Sequence, residues 1–232
     1  MRLLLISNST VYGTGYLDHC AEAITAFLGQ TRRVLFVPYA VHDRDAYVAR
    51  VRARFERMGL QLDSAHDAPA GPVNAVENAQ AFFVGGGNTF RLIDTLYRER
   101  LIEPIRRRTL AGTPYIGSSA GSNVVCPTMQ TTNDMPIVQP PSFAALNLVR
   151  FQLNPHYQDP IPGSTHMGES REERIREFHE ENAAPVVGLR EGSWLIVDDS
   201  SILLRGSTGA RIFRRGHPPA EVASGANLGS LI

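Results

Sequence analysis

Through the first half of the chain, short apolar runs alternate with amphipathic stretches, and this alternation restricts the fold more than any other feature. "RLLLIS", "RRVLFVPYA", "AQAFFV" and "TPYIG" are brief, continuous and rich in branched or aromatic residues. Runs of this kind predict strands buried on both faces. Residues 16–28 carry Leu17, Cys20, Ala21, Ile24, Phe27 and Leu28 at helical spacing. "DAYVARVRARFERMGL" predicts a charged amphipathic helix closed by Gly59. "LQLDSA" predicts a third strand, and 73–78 a short helix beginning near Pro72. "NTFRLIDTLYRERLIEPIRRRTL" reads as one helix with Asn88 or Thr89 as its N-cap. Strand alternating with helix to about residue 126 implies an α/β fold, a mostly parallel sheet flanked by helices with right-handed crossovers.

Beyond that point the pattern changes. "TTNDMPIVQPPSFAALNLV" is rich in Pro, Asn and Thr and reads as loop, and "RFQLNPHY" as a strand running into a loop. "SREERIREFHEEN" predicts a charged helix laced with acid–Arg pairs. "PVVGLREGSWLIVDDSSILLRGSTGARIFRRG" predicts strands and hairpins, with turns at Glu191-Gly192, 198–201 and 207–209. No linker or repeat interrupts the chain, so 1–232 is read as a single domain.

Composition narrows the classes of function. Lys+Arg 23 balances Asp+Glu 23, so the chain offers no overall electrostatic basis for binding nucleic acid or an anionic membrane. There is no lysine; every basic residue is arginine, whose planar fork suits carboxylates. Cys20 and Cys126 lack CxxC spacing and are expected to be buried free thiols rather than a zinc or redox pair. No stretch approaches the ~18 apolar residues of a membrane span, and the first residues lack a signal-peptide pattern. These features predict a soluble, cytoplasmic protein with no metal or cofactor.

Gly117-Ser118-Ser119-Ala120-Gly121 matches G-x-S-x-G, between a predicted strand and a predicted helix. That spacing suits a sharp turn in which glycines remove clashing Cβ atoms and the central serine is exposed and strained. Ser119 is therefore a candidate nucleophile, the other reading being a tight turn. The next N–H, at Ala120, could stabilise an oxyanion. Gly85-Gly86-Gly87 follows "AFFV" and lets backbone approach a ligand; it lacks the Lys of a P-loop and the spacing of a dinucleotide fingerprint. Gly87 or its neighbour could supply a second oxyanion donor. A serine nucleophile needs a base. His19, His42, His179 and His217 fall in charged or turn-rich stretches and are expected at the surface. His156, in "LNPHY", follows an apolar run, where a sheet displays residues at its C-terminal edge. Asp134 in "TTNDMP" and Glu191 in "GLREGSW" both qualify as the acid orienting the imidazole.

Together "LLLISNST", "FVGGGNTFRL", "YIGSSAGSNVVCPT", "TTNDMPIV", "LNPHY", "GESREERIREF" and "VVGLREGSW" resemble peptidase E, the aspartyl dipeptidase family of serine peptidases, over nearly the whole chain. The resemblance implies a three-layer, flavodoxin-like fold related to class I glutamine amidotransferase domains, with strands and hairpins at the C-terminus. It implies Ser119 as nucleophile, His156 as base and Glu191 as orienting acid, with Asp134 a contender for that last place. Gly87 and Ala120 would be the oxyanion donors. It implies small peptide substrates that begin with aspartate, with Arg171 reading the β-carboxylate, Asn88 adding a hydrogen bond near the oxyanion site, and a homodimer. Glu169 is a candidate acceptor for the substrate's ammonium. Ser118 and Ser122 depart from the family pattern and are expected to touch the walls of the site; the tail "GHPPAEVASGANLGSLI" departs from it too. Other functions consistent with the motifs are a hydrolase of aspartyl polymers such as cyanophycin, a general esterase, or a silent binding protein. In a silent protein Ser119 or His156 should be replaced, and both are present.

Overall fold

The computed structural model describes residues 1–160, 163, 165, 168–199 and 201–231. In chain order the elements are β1 (Arg2–Ile6), α1 (Ala21–Leu28), β2 (Arg33–Val37), α2 (Arg44–Arg57), β3 (Gln61–Ser64), α3 (Pro72–Glu77) and β4 (Phe82–Val84). Next come α4 (Thr89–Arg98), α5 (Ile102–Leu110), β5 (Tyr115–Ser118), α6 (Ala120–Asn123) and β6 (Gln152–Tyr157). The remainder is α7 (Arg171–Glu181), β7 (Val186–Arg190), β8 (Ser193–Asp198), β9 (Ser201–Gly206), β10 (Ala210–Phe213) and β11 (Ala220–Val222).

Seven strands form one sheet in the order β3-β2-β4-β5-β1-β8-β9. β1 to β5 are parallel, and β8 and β9 extend the sheet antiparallel. The apolar runs explain why. Leu3 and Leu5 of β1 join one buried cluster, while Leu4 and Ile6 join another on the opposite face. A strand apolar on both sides needs cover on both sides. α1 and α2 cover one face with Ile24, Phe27, Val48, Val51 and Phe55. α4, α5 and α6 cover the other, with Leu92, Ile93, Leu96, Ile105 and Ala120.

A second sheet, β11-β10-β7-β6, packs on the same side as α4–α6, because Leu153, Val187, Leu189 and Ala210 join that cluster. Its far face is closed by α7 through Ile175 against Tyr157, Val186 and Phe213. The mostly parallel, helix-flanked sheet is as the sequence predicts. The separate second sheet is not legible there, since strand patterns do not reveal which strands pair.

Three local expectations need correction. The first helix begins at Ala21, after a 3-10 turn at Asp18–Cys20 that Leu17 enters with φ 57°. The long helix predicted over 88–110 breaks at Arg100, which has φ 56°. Pro104 supplies the reason: it has no N–H for a continuous helix but is tolerated in the first turn of a new one, α5. His179, expected at the surface, is buried, with Nε2 3.1 Å from the Ala184 carbonyl.

The β5–α6 junction is the tightest point in the large sheet. A Cβ on Gly117 would come within 2.6 Å of the Gly121 carbonyl carbon, and one on Gly121 within 2.7 Å of the Val84 carbonyl carbon. Helix and strands can meet there only without side chains. Gly121→Ala should therefore destabilise the fold by about 1–3 kcal/mol. Chemical denaturation measures this, and an unchanged midpoint would mean that β4 and α6 are less tightly apposed than described.

Candidate active site

The carboxyl ends of the parallel strands converge where open α/β sheets display ligand-binding residues. β5 ends at Ser118, and Ser119 follows with φ 53° and ψ −111°. A non-glycine residue in that region is strained by roughly 1–3 kcal/mol, so its neighbours must hold it. Ser119 N–H donates to the Ile6 carbonyl at 3.0 Å, and Ser122 and Asn123 N–H groups donate to the Ser119 carbonyl, each at 2.9 Å. Ser122 Oγ also donates to Ile6 O at 2.7 Å, and Tyr115 Oη to Gly121 O at 2.7 Å. Ser118 and Ser122, expected at the walls of the site, are instead fully buried behind the turn.

His156 arrives from the other sheet. It sits in a bulge where the β6–β7 register shifts between Pro155 and Tyr157, with φ 54°. Its N–H donates to Ser7 Oγ at 2.9 Å, and that hydroxyl donates to the Leu189 carbonyl at 2.7 Å. Ser7, at the end of β1, thus pins the second sheet to the first. Glu191 lies in the turn between β7 and β8, where the chain passes from the small sheet to the large one. Gly192 makes that turn with φ 82°, and its N–H donates to Asn8 Oδ1 at 2.8 Å. Neither Ser7 nor Asn8 was singled out from sequence; the available signal was a polar "SNS" directly after a buried strand.

The side chains form a continuous relay. Ser119 Oγ is 2.9 Å from His156 Nε2, and His156 Nδ1 is 2.6 Å from Glu191 Oε1. A carboxylate can only accept, so Nδ1 carries the hydrogen and Nε2 is left to accept from the serine. The His156 and Glu191 side chains are 39% and 47% exposed, so water can reach the relay. Asp134, the alternative acid, lies elsewhere in the same site. Its Oδ2 accepts from Thr89 N–H at 2.7 Å, Thr89 Oγ1 at 2.6 Å and Thr132 Oγ1 at 3.1 Å.

A pocket of about 270 Å³ opens beside Ser119 and is lined by His156, Glu191, Asp134, Asn123 and Arg171, among others. A larger one, about 320 Å³, is bounded by Arg33, Arg52, Asp63 and Asn74, but no nucleophile–base pair lines it. Arg171 begins α7, whose start is fixed by a capping box between Ser170 and Glu173 and by the Glu172–Arg211 ion pair at 2.9 Å. Among the described residues Arg171 itself has no ion-pair partner. Burial and then Arg174 lower its pKa, and the charge of Asp134 opposes them.

The glycine loop approaches from β4. A Cβ on Gly86 would lie 3.0 Å from that of Ser119, so a side chain there would crowd the serine. Gly87 has φ 137°, and a Cβ there would lie 2.6 Å from the Ala40 carbonyl oxygen. Asn88 is the N-cap of α4, one of the two caps the sequence offers, accepting from Arg91 N–H at 3.0 Å while its Nδ2 donates to Met135 O at 2.8 Å. Glu169 does not line the pocket; it pairs with Arg174 at 3.3 Å. Cys20 and Cys126 are free and buried, and burial pushes the Cys20 thiol up to about 12. His166 lies outside the described residues. Among the described residues no three His, Cys, Asp or Glu side chains cluster to hold a metal, and no helix is long and apolar enough to cross a membrane.

The model of peptidase family S51 matches residues 3–205. Peptidase E of Streptomyces coelicolor is 53% identical over 232 residues, covering 100% of this chain and 95% of that one. A probable alpha-aspartyl dipeptidase of Drosophila melanogaster is 45% identical over 233 residues, covering 99% and 97%. The tail that departs from the expected pattern therefore still aligns with relatives. Among solved structures, a putative peptidase E protein of Listeria monocytogenes superposes with TM-score 0.68 at 23% identity, covering 89% of this chain and 98% of that one. A peptidase from an acI-B1 actinobacterium gives 0.75 at 18% identity, covering 98% and 96%; both share the fold. The chain belongs to peptidase family S51.

Proposed function

We propose that this protein is a serine-type dipeptidase that hydrolyses dipeptides with N-terminal aspartate, acting as one catalytic domain over 1–232. The observation that carries the reading is the Ser119–His156–Glu191 hydrogen-bond chain, at 2.9 and 2.6 Å, in a chain whose full-length relatives are named peptidase E and alpha-aspartyl dipeptidase. Ser119 Oγ attacks the carbonyl of the N-terminal aspartate, and His156 Nε2 takes its proton. Glu191 holds the tautomer and stabilises the imidazolium. The oxyanion is met by the N–H groups of Ala120 and Gly87. The C–N bond breaks as His156 returns the proton to the leaving amine, and water then releases aspartate from the ester with His156 as base.

Glu191, rather than Asp134, is assigned as the orienting acid, because His156 Nδ1 meets Glu191 Oε1 at 2.6 Å, whereas the hydrogen bonds of Asp134 Oδ2 go to α4 and the 131–135 loop. Arg171 reads the substrate's β-carboxylate. A guanidinium that lines the pocket with no carboxylate partner among the described residues is under-compensated, and a planar fork binds an incoming carboxylate bidentately. The pocket's volume, about 270 Å³, suits a single aspartyl residue better than a polymer. A single domain is supported by the largest buried cluster, which draws on both sheets. Exposed Met135, Ile137 and Phe143, on the loop that follows Asp134, support a homodimer. The reading places the enzyme in the cytoplasm, acting without metal or cofactor.

Steady-state hydrolysis of Asp-Leu, Asn-Leu and Ala-Leu tests the reading. Ser119→Ala and Glu191→Gln should each lower turnover of Asp-Leu by roughly 10⁴-fold or more. Chelator should leave the wild-type rate unchanged. Equal cleavage of all three peptides would remove the aspartyl specificity, and activity surviving in Ser119→Ala would remove the nucleophile. Arg171→Lys keeps the charge but loses the fork; kcat/KM for Asp-Leu should fall roughly 10- to 100-fold, with Ala-Leu changing far less.

A further inference from the structure

The first residue of an Asp-Xaa dipeptide carries two charges, a β-carboxylate and a free α-ammonium. Arg171 answers only the carboxylate. We infer that Asp134, assisted by the side-chain oxygen of Asn123, is the acceptor for the substrate's α-ammonium, an inference that rests on the dipeptidase reading.

Asp134 lines the pocket together with Ser119, His156 and Arg171. Its three hydrogen bonds all fall on Oδ2, from Thr89 N–H, Thr89 Oγ1 and Thr132 Oγ1. They fix the carboxylate's direction, and Oδ1 receives no hydrogen bond among the described residues. Nor does any described cation lie within ion-pair distance of Asp134, although Arg171 is near enough to feel its charge. An oriented carboxylate with one oxygen unused and no cation is suited to receive one.

Asn123 gives a second, independent observation. It is 1% exposed and also lines the pocket. Its Nδ2 donates to the Leu153 carbonyl at 2.8 Å, and since a carbonyl only accepts, the amide cannot be turned the other way. That orientation leaves Oδ1, a buried acceptor with no partner among the described residues. Buried acceptors are seldom left unmatched. An ammonium brings three donors, and two of them meet Asp134 Oδ1 and Asn123 Oδ1. Arg171 and Asp134 then form a charge pair of opposite sign that reads both charges of an N-terminal aspartate. The lock also explains exopeptidase register, because an extended or blocked N-terminus offers no ammonium to the buried acceptor.

The test compares Asp-Leu with succinyl-Leu, which differs only in replacing the α-ammonium by hydrogen. Hydrolysis is followed in the wild type, and equilibrium binding of the same two compounds in Ser119→Ala, where no turnover intervenes. The wild type should favour Asp-Leu by roughly 10²-fold or more. Asp134→Asn should shrink that ratio at least roughly tenfold, in hydrolysis and, combined with Ser119→Ala, in binding. Asp134→Glu, which keeps the charge, should retain more of the ratio, and Asn123→Ala should reduce it less than Asp134→Asn does. If Asp134→Asn slows both compounds equally, leaving the ratio intact in a protein of unchanged thermal midpoint, Asp134 only supports the 131–135 loop and the inference falls while the dipeptidase reading stands. If the binding ratio collapses as predicted yet the wild type hydrolyses neither compound, the ammonium site stands and the hydrolytic reading falls.

Discussion

The contact between β5, α6 and β4 at two glycines underlies everything else in the site. Because Gly117 and Gly121 carry no side chains, α6 can start against the ends of the parallel strands, and Ser119 is forced into a conformation that non-glycine residues avoid. The hydrogen bonds around it converge on Ile6, the last residue of β1. The cost of the strained serine is thus offset by the packing of a core strand, and the reward is a hydroxyl raised above the sheet edge with the Ala120 N–H beside it. The loop after β4 also passes closely, with a Cβ on Gly86 only 3.0 Å from that of Ser119.

A second constraint joins the two sheets. Ser119 follows a strand of one sheet and His156 lies in a strand of the other, so their 2.9 Å contact depends on how rigidly those sheets are docked. Ser7 and Asn8, both just beyond β1, provide the docking: one hydroxyl bridges the backbones of His156 and Leu189, and one amide holds Gly192. Arg190, between them, clamps Asp159 and Glu221 and steadies the strand from which Glu191 projects. Hydrogen bonds from Arg190, and to a lesser degree its charge, lower the pKa of both acids. Depressed folded-state values mean that this clamp contributes above the acids' ordinary pKa and is lost as pH falls through the lowered ones.

Much of this was legible in the sequence. Continuous apolar runs such as "RLLLIS" reveal two-sided burial, because polar residues on either face would have no water. G-x-S-x-G between strand and helix marked the turn at Ser119. What was not legible depends on contacts distant in sequence. Glu191 and Asp134 have similar local surroundings, and only the pairing of β7 with β6, which sets Glu191 behind His156, separates them. The break at Arg100 was readable in principle from Pro104, but helical spacing on both sides masked it. Asn88 fits a cap and a ligand equally well by residue type, and its geometry is that of a cap. Ser7 and Asn8 look like ordinary turn residues until the second sheet is in place.

The central claim is that Ser119 is made nucleophilic by a histidine held from the second sheet. The most direct test is labelling with a fluorophosphonate, followed by intact mass and peptide mapping, in the wild type and His156→Ala. The account predicts one adduct, on the peptide containing Ser119, forming readily in the wild type and very slowly without His156. An adduct elsewhere, or equal labelling of Ser119 in the two proteins, would contradict it.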